Sequence, residues 1–179
     1  RVMLSSFRVC FNQDGDVEGT ILRNGNVASA HDWPVVLVPV VERYRDLDIR
    51  KLFRGDAAFA IVDLYEFLEA EGFTDAIRLP ANAVLYREID HLMKRQLGRP
   101  PAQPIVYLHH FHYQAGSWNK PPTVVAKVQW HHDELFARIG FVVTNMRGGA
   151  KPVIDFYNRR GSAEQWIKEG KIALNWIRL

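Results

Sequence analysis

The sequence predicts an α/β protein in which helices flank a mixed sheet and a β-rich insertion interrupts the order. Segments with strand patterning alternate with segments of helical periodicity over most of the 179 residues. Three consecutive strand-like segments, without a helix between them, then lie between 105 and 144. Strands that alternate with helices indicate a mixed sheet covered by helices on its faces.

The first half of the chain predicts a hairpin followed by alternating helices and strands. Asp14-Gly15-Asp16 separates two strand-like segments and is typical of a hairpin turn. A helix capped by Ser29 or Asp32 then ends near Tyr44. Strands are predicted at 7–13, 17–23, 49–54 and 76–79, and further helices at 61–71 and 83–97.

The second half begins with a proline-rich linker near residue 99 and ends in a long helical stretch from about 150 to 176. Strands are predicted between them at 105–113, 123–130 and 137–144. We therefore expect a core built from residues 1–98 and 146–179, and an insertion at 99–145.

Composition excludes several classes of protein. Apolar residues make up 47% and charged residues 24% of the chain, as in globular proteins and unlike disordered ones. One cysteine, Cys10, cannot form an internal disulfide. The net charge of +3 permits nucleic-acid binding without indicating it. Because the first residue is Arg1 rather than methionine, we expect a piece of a longer chain.

The last predicted helix carries four functional side chains on one stripe. Tyr157, Arg160, Glu164 and Lys171 fall within roughly 60° of each other at about 100° per residue. A carboxylate between two cations suits a place where a hard cation and a phosphate meet. The alternative is an exposed helix face with ion pairs, because Arg160 and Glu164 are spaced i, i+4.

The spacing Tyr-x2-Arg-x3-Glu-x6-Lys at 157–171 resembles the motif around the third acidic residue of DDE-type insertion-sequence transposases. Residues 53–59 resemble the strand of that family that ends in the second acidic residue, here Asp56. Residues 76–82 resemble the strand that follows. The β-rich segment resembles the insertion of the subgroup with added β-strands between the second and third acidic residues.

The resemblance implies a ribonuclease-H-like fold and metal-dependent phosphodiester hydrolysis and strand transfer. Asp56 and Glu164 would be catalytic metal ligands, and Tyr157, Arg160 and Lys171 would bind DNA phosphates. The implied cofactor is Mg²⁺, with Mn²⁺ as a substitute. The implied partners are transposon-end DNA and target DNA, which a homodimer would bind at paired ends. The implied location is the nucleoid in a bacterial cytoplasm, and no membrane is involved.

One family residue has no match in the sequence. The first catalytic Asp should lie on a strand before Arg1, and Asp14 and Asp16 lie in a turn that is a poor substitute. We therefore expect an N-terminally incomplete transposase that does not cut DNA alone. The alternatives are a non-enzymatic remnant that binds DNA or a full-length transposase, and a structure-specific nuclease on the same fold.

Two further groups of side chains have competing interpretations. Trp118 lies in a loop and is the best candidate for an aromatic that stacks on DNA bases, although most tryptophans belong to a core. Five histidines lie on or next to the predicted strands of the β-rich segment. They indicate either structural or DNA-facing roles, or a metal site in which a partner strand brings His132 near His110 and His112. They are His109, His110, His112, His131 and His132.

Overall fold

A computed structural model describes residues 4–11, 14, 16–24, 32–95, 98, 102–114, 116, 118 and 120–159. The chain divides into two compact units, one of residues 1–51 with 158–179 and one of residues 52–157. No helix in these described ranges is long and apolar enough to span a bilayer.

The described residues of the first unit form the predicted hairpin and one helix. Strands β1 (Leu4–Phe11) and β2 (Val17–Asn24) pair antiparallel, and α1 (Trp33–Tyr44) packs on β2. A Cβ at Gly19 would lie 3.1 Å from Val36 Cγ1, so only glycine permits this close approach of helix and strand without a shift. The carboxylate of Glu18 also accepts hydrogen bonds from Arg43, at 2.6 Å, and from the Tyr44 hydroxyl, at 2.7 Å.

The second unit is built on a mixed sheet of five strands in the order β3-β4-β7-β6-β5. Strands β3 and β4 are parallel, and every other neighbouring pair is antiparallel. The strands are β3 (Leu52–Gly55), β4 (Thr74–Leu79), β5 (Ile105–His112), β6 (Thr123–Trp130) and β7 (Arg138–Thr144). The three strands predicted within 99–145 thus extend the sheet of β3 and β4; the division into core and insertion stays a prediction.

Helices cover this sheet, and one of them is shorter than the sequence predicts. They are α2 (Val62–Ala70), α3 (Ala83–Glu88) and α4 (Ala150–Asn158). The predicted helix at 83–97 is wrong beyond Glu88, because the chain tightens at Ile89 into a 3₁₀ turn, Asp90–Leu92. Ile89 is fully buried, and the Trp130 indole donates a hydrogen bond to the Leu92 carbonyl, so tertiary contacts end the helix.

The two faces of the sheet are covered by different helices. Helix α4 places Val153 and Ile154 against one face, where they join a buried cluster with Ala76, Val125 and Val142. Successive side chains of a strand point to opposite faces, so Phe141 belongs to the other face. There its ring meets that of Tyr86 on α3 edge to face, with centroids 6.0 Å apart.

A carboxyl group lies inside this second unit. Asp75 on β4 is only 3% exposed, and its Oδ1 atom has no hydrogen-bond partner within the described part of the chain. The pKa of Asp75 is raised to about 7, chiefly because burial disfavours the charged carboxylate. A backbone hydrogen bond from Asn145 opposes this increase, and the charge of Glu69 adds to it. The carboxyl is therefore protonated in the folded state over a pH range in which the unfolded chain has ionised it.

We expect Asp75→Asn to stabilise the protein at pH 8. Because the folded pKa of about 7 exceeds the ordinary aspartate pKa of 3.8, the folded state binds the extra proton between these values. Wild-type stability should then fall as pH rises through this window, by at most about 1.4 kcal/mol per pH unit. Thermal melts of both proteins from pH 4 to 8 check this, and equal pH profiles would contradict it.

Candidate active site

The backbone at the end of β3 fixes the orientation of the Asp56 side chain. Asp56 is extended, and its carboxylate oxygen Oδ1 accepts a hydrogen bond from the Ala58 backbone N–H at 3.0 Å. The Phe59 N–H donates to the Asp56 carbonyl, also at 3.0 Å, and this closes the 3₁₀ turn Ala57–Phe59. The carboxylate is therefore held at the carboxyl end of a parallel strand, where α/β sheets commonly place functional groups.

Gly55 lets two aromatic rings pack against the end of the strand that leads into Asp56. A Cβ at Gly55 would lie 3.1 Å from Phe53 Cε1 and 3.2 Å from Phe59 Cβ. The Phe53 and Phe59 rings meet edge to face with centroids 6.3 Å apart. The pair ties the 3₁₀ turn back onto its own strand, so the position of Asp56 depends on a residue without a side chain.

A cavity of about 420 Å³ joins Asp56 to a cation on the neighbouring strand. Arg78 is exposed, although Ile77 and Leu79 on either side of it are buried. Within the part of the chain that is described, Arg78 forms no ion pair. The cavity is lined by Asp56, Ala57, Ala58, Arg78, Leu79, Pro80, Ala81, Ile139, Gly140 and Phe141.

Arg78 is a candidate functional residue that the sequence interpretation missed. Its signal is a cation that interrupts the apolar residues Ala76, Ile77 and Leu79, all of which lie in the core. Such a residue needs a reason to interrupt the apolar pattern. The cavity supplies one, because a guanidinium there can bind a phosphate with two parallel hydrogen bonds beside a carboxylate that can bind a cation.

Only part of the predicted stripe on the last helix falls within the described residues. Tyr157 lies on α4, half-buried, and packs against the cluster of Ala76, Val125 and Val142. Arg160, Glu164 and Lys171 lie outside the described residues. Among the residues that are described, no three His, Cys, Asp or Glu side chains are grouped to hold a metal ion.

The predicted DNA-stacking residue Trp118 lies in the interior. Its side chain is 9% exposed, and its ring meets those of Tyr65 and Tyr113 edge to face, with centroids 5.4 Å and 5.8 Å away. The Gln114 side chain also donates a hydrogen bond to the Trp118 carbonyl at 2.9 Å. This packing argues against a base-stacking surface at Trp118 and favours the alternative, in which the ring belongs to the core.

The strand register separates the histidines. Strand β5 pairs with β6 so that His112 lies opposite Thr123 and Ile105 lies opposite Trp130. His132 follows Trp130 and is therefore at the far end of β5 from His112, so the predicted approach of His132 to His110 and His112 is wrong. The register of an antiparallel pair depends on the whole strand pairing, which histidine spacing does not reveal.

One histidine instead has a partner from outside the strands. The His91 ring meets the His109 ring edge to face, with centroids 5.0 Å apart. Partial burial lowers the pKa of His109, and the nearby His91 and His110 lower it further. This pairing gives His109 a packing role in the contact between the 3₁₀ turn Asp90–Leu92 and the sheet.

Comparison with known proteins identifies the family. Residues 8–179 match the sequence profile of the family described as transposase DDE domain group 1. The chain therefore belongs to the group 1 DDE-domain transposases, and its mixed sheet with flanking helices is the ribonuclease-H-like fold predicted for it. No curated protein and no solved structure matches the chain. The family acts on DNA in transposition and generally uses divalent metal ions.

We expect Gly55→Ala to destabilise the protein by about 1–3 kcal/mol, the usual cost of overpacking a core. The added methyl would press on Phe53 and Phe59, whereas the same change at Gly140, also in a strand, has open space around it. Chemical unfolding of both variants checks this. Equal stability of the Gly55 and Gly140 variants would contradict the prediction, because it would mean that Phe53 and Phe59 move aside without lowering the free energy of unfolding.

Proposed function

We propose that this chain is the catalytic core of a DNA transposase that hydrolyses phosphodiester bonds and transfers strands at transposon ends. The observation that supports this most directly is the cavity shared by Asp56 and Arg78 at the carboxyl end of β3. A fixed carboxylate beside a cation provides for a metal ion and a phosphate in one place. Family membership supplies the substrate class, DNA.

The proposed metal ligands are Asp56 and Glu164. The Asp56 carboxylate fits a hard divalent cation because it is an oxygen donor, its orientation is fixed by the Ala58 N–H, and it faces a cavity of about 420 Å³. Bound Mg²⁺, or Mn²⁺ in its place, would activate the attacking hydroxyl and stabilise the leaving oxygen. The protein's own contribution is to hold the carboxylates and to admit the DNA strand.

The proposed DNA-binding residues surround this carboxylate. Arg78 would bind a phosphate through its planar fork, and Arg160 and Lys171 would bind further phosphates with Tyr157 beside them. The contacts would fix the scissile bond relative to Asp56, since phosphate contacts set the register of a protein on DNA. A homodimer on paired transposon ends, with target DNA bound afterwards, completes the proposal.

These 179 residues supply two of the three carboxylates that the resemblance requires. We therefore infer that the chain binds DNA and a metal ion but does not cut DNA by itself. A non-enzymatic remnant that binds DNA or a full-length transposase is the competing function. A remnant of this kind would bind DNA without the help of a metal ion at Asp56. The two proposals therefore differ in whether a divalent metal ion tightens DNA binding through Asp56.

We expect Asp56→Asn to reduce the dependence of DNA binding on divalent ions. Without a metal ion the carboxylates repel DNA phosphates, so Mg²⁺ should tighten binding by the wild-type chain more than by the variant. The amide oxygen of Asn can still accept the Ala58 N–H, so the local backbone is preserved. Fluorescence anisotropy with labelled duplex in Mg²⁺ or EDTA, at equal ionic strength, measures the effect.

The control for this experiment is Asp63→Asn, which removes an exposed carboxylate in the first turn of α2. Identical metal dependence in wild type and the Asp56 variant would favour the non-enzymatic remnant. Mg²⁺-dependent nicking of supercoiled DNA by the wild-type chain, abolished by Asp56→Asn, would instead contradict the inference that these residues do not cut alone.

We expect Arg78→Gln to weaken DNA binding uniformly across sequences and to reduce the slope of log affinity against log salt by about 1, the loss of one phosphate contact. Arg87→Gln is the matched control, because Arg87 is an exposed cation on α3. Anisotropy titrations over a range of salt concentrations give both slopes. Equal slopes for the two variants would remove Arg78 from the DNA-binding site.

A further inference from the structure

Strand register places residues of three neighbouring strands on one face of the sheet, next to the candidate site. Arg78 on β4 pairs with Val142 on β7, and Gly140 lies two residues from Val142, so all three share a face. Gly140 pairs with Lys127 on β6, which therefore lies on that face as well. By strand spacing, the Cα atoms of Arg78 and Lys127 are roughly 12 Å apart, with Gly140 between them.

Gly140 leaves open space on this face. A Cβ at Gly140 would have no neighbouring atom within 4 Å, in contrast to the crowded position of Gly55. Gly140 also lines the cavity that contains Asp56 and Arg78, so the open space is continuous with the candidate site. A glycine inside a strand often marks a place where another backbone or a ligand approaches closely. The gap therefore suits a chain that leaves the cavity and continues across β7 and β6.

The charge of this face fits a phosphate backbone. Arg78 is exposed and Lys127 is half-buried, and neither forms an ion pair with any residue that the structure describes. Asp75 is the only acidic residue in strands β3 to β7, all of which are described, and alternation directs it to the opposite face. The face thus presents two cations with no carboxylate from a strand between them.

The apolar part of the same face already has a partner. Helix α4 places Val153 and Ile154 in the buried cluster that contains Val142. What lies beside this cluster is Gly140 and the two cations, an arrangement that gives a second helix little apolar surface to pack against. It suits DNA instead, because DNA binding depends mainly on cations that neutralise backbone phosphates.

We propose that DNA extends from the cavity across the open part of this face: Arg78 and Lys127 each bind a phosphate, and the sugar–phosphate backbone passes over Gly140. This inference rests on the proposed function, because it takes DNA as the partner and Arg78 as one of its contacts. It adds a second cation, on β6, and a steric requirement on β7 that the cavity alone does not impose.

The test is the binding of labelled duplex DNA to the 179-residue chain, measured by fluorescence anisotropy over a range of salt concentrations in EDTA. We expect Lys127→Gln to reduce the slope of log affinity against log salt by about 1, because one phosphate contact is lost. We expect Gly140→Val to weaken binding about tenfold although it removes no charge, the effect of one lost hydrogen bond to a charged group. Gly140→Ala, the smaller change, should fall between wild type and Gly140→Val.

The matched controls are Lys151→Gln and Gly116→Val, both of which should bind DNA as the wild type does. Lys151 is an exposed cation on α4 that pairs with Asp155. Gly116 also has open space around it and lies in the connection between β5 and β6. Circular dichroism and thermal melting confirm that each variant is folded, and Gly140→Ala gives the same comparison should valine unfold the protein.

Two results would each overturn this inference while Arg78→Gln still lowers the salt slope. One is a slope for Lys127→Gln equal to that of Lys151→Gln, and the other is wild-type affinity in folded Gly140→Val. If Arg78→Gln also leaves the slope unchanged, or if the wild-type chain does not bind duplex DNA, the proposed function fails together with this inference. The two failures are therefore distinguishable.

Discussion

The hydrogen-bonded pairing of β4 with β7 is the interaction on which the second unit depends. Strand β4 is parallel to β3 on one side and antiparallel to β7 on the other, so it joins the strand of Asp56 to the antiparallel strands β5, β6 and β7. Without this pairing there would be two small sheets, each with an apolar face exposed to water. With it, one sheet forms that is wide enough to be covered by helices on both faces.

The candidate site is a product of strand geometry. The backbone that follows β3 orients Asp56, because the Ala58 N–H donates a hydrogen bond to its carboxylate. The alternation of side chains along β4 places Arg78 at an exposed position between buried neighbours. Neither group depends on a long flexible loop. Arrangements of this kind favour catalysis that relies on fixed charges, because the protein does not have to reorganise when charge develops in the transition state.

Local patterns were sufficient to predict most elements but not their arrangement. The hairpin of β1 and β2 and the strands β5, β6 and β7 follow from turn residues and strand propensity, which act over a few residues. The pairing of β4 with β7 does not, since it joins segments far apart in sequence. Tyr157 was singled out by helical spacing and Asp56 by resemblance, whereas Arg78 was recognised as a candidate only when the structure placed it in a cavity with Asp56.

Tertiary contacts also explain where the structure departs from what local sequence patterns indicate. The helix predicted at 83–97 ends at Glu88 because Ile89 and Leu92 are committed to the core and to Trp130. Trp118 lies in a loop by its neighbours in sequence, yet two tyrosine rings enclose it. Neither outcome is encoded in the spacing of apolar residues, because both depend on which distant segments arrive at the same place.

The register of β4 and β7 has a consequence for the order in which the chain folds during synthesis. Ala76 pairs with Thr144, so β4 must remain without its antiparallel neighbour until β7 has been made. At about 5–20 residues per second, a ribosome needs on the order of several seconds to supply that partner. During this interval Ala76 and Ile77, which are buried in the finished protein, lie on a strand with an unpaired edge that chaperones or other nascent chains can reach.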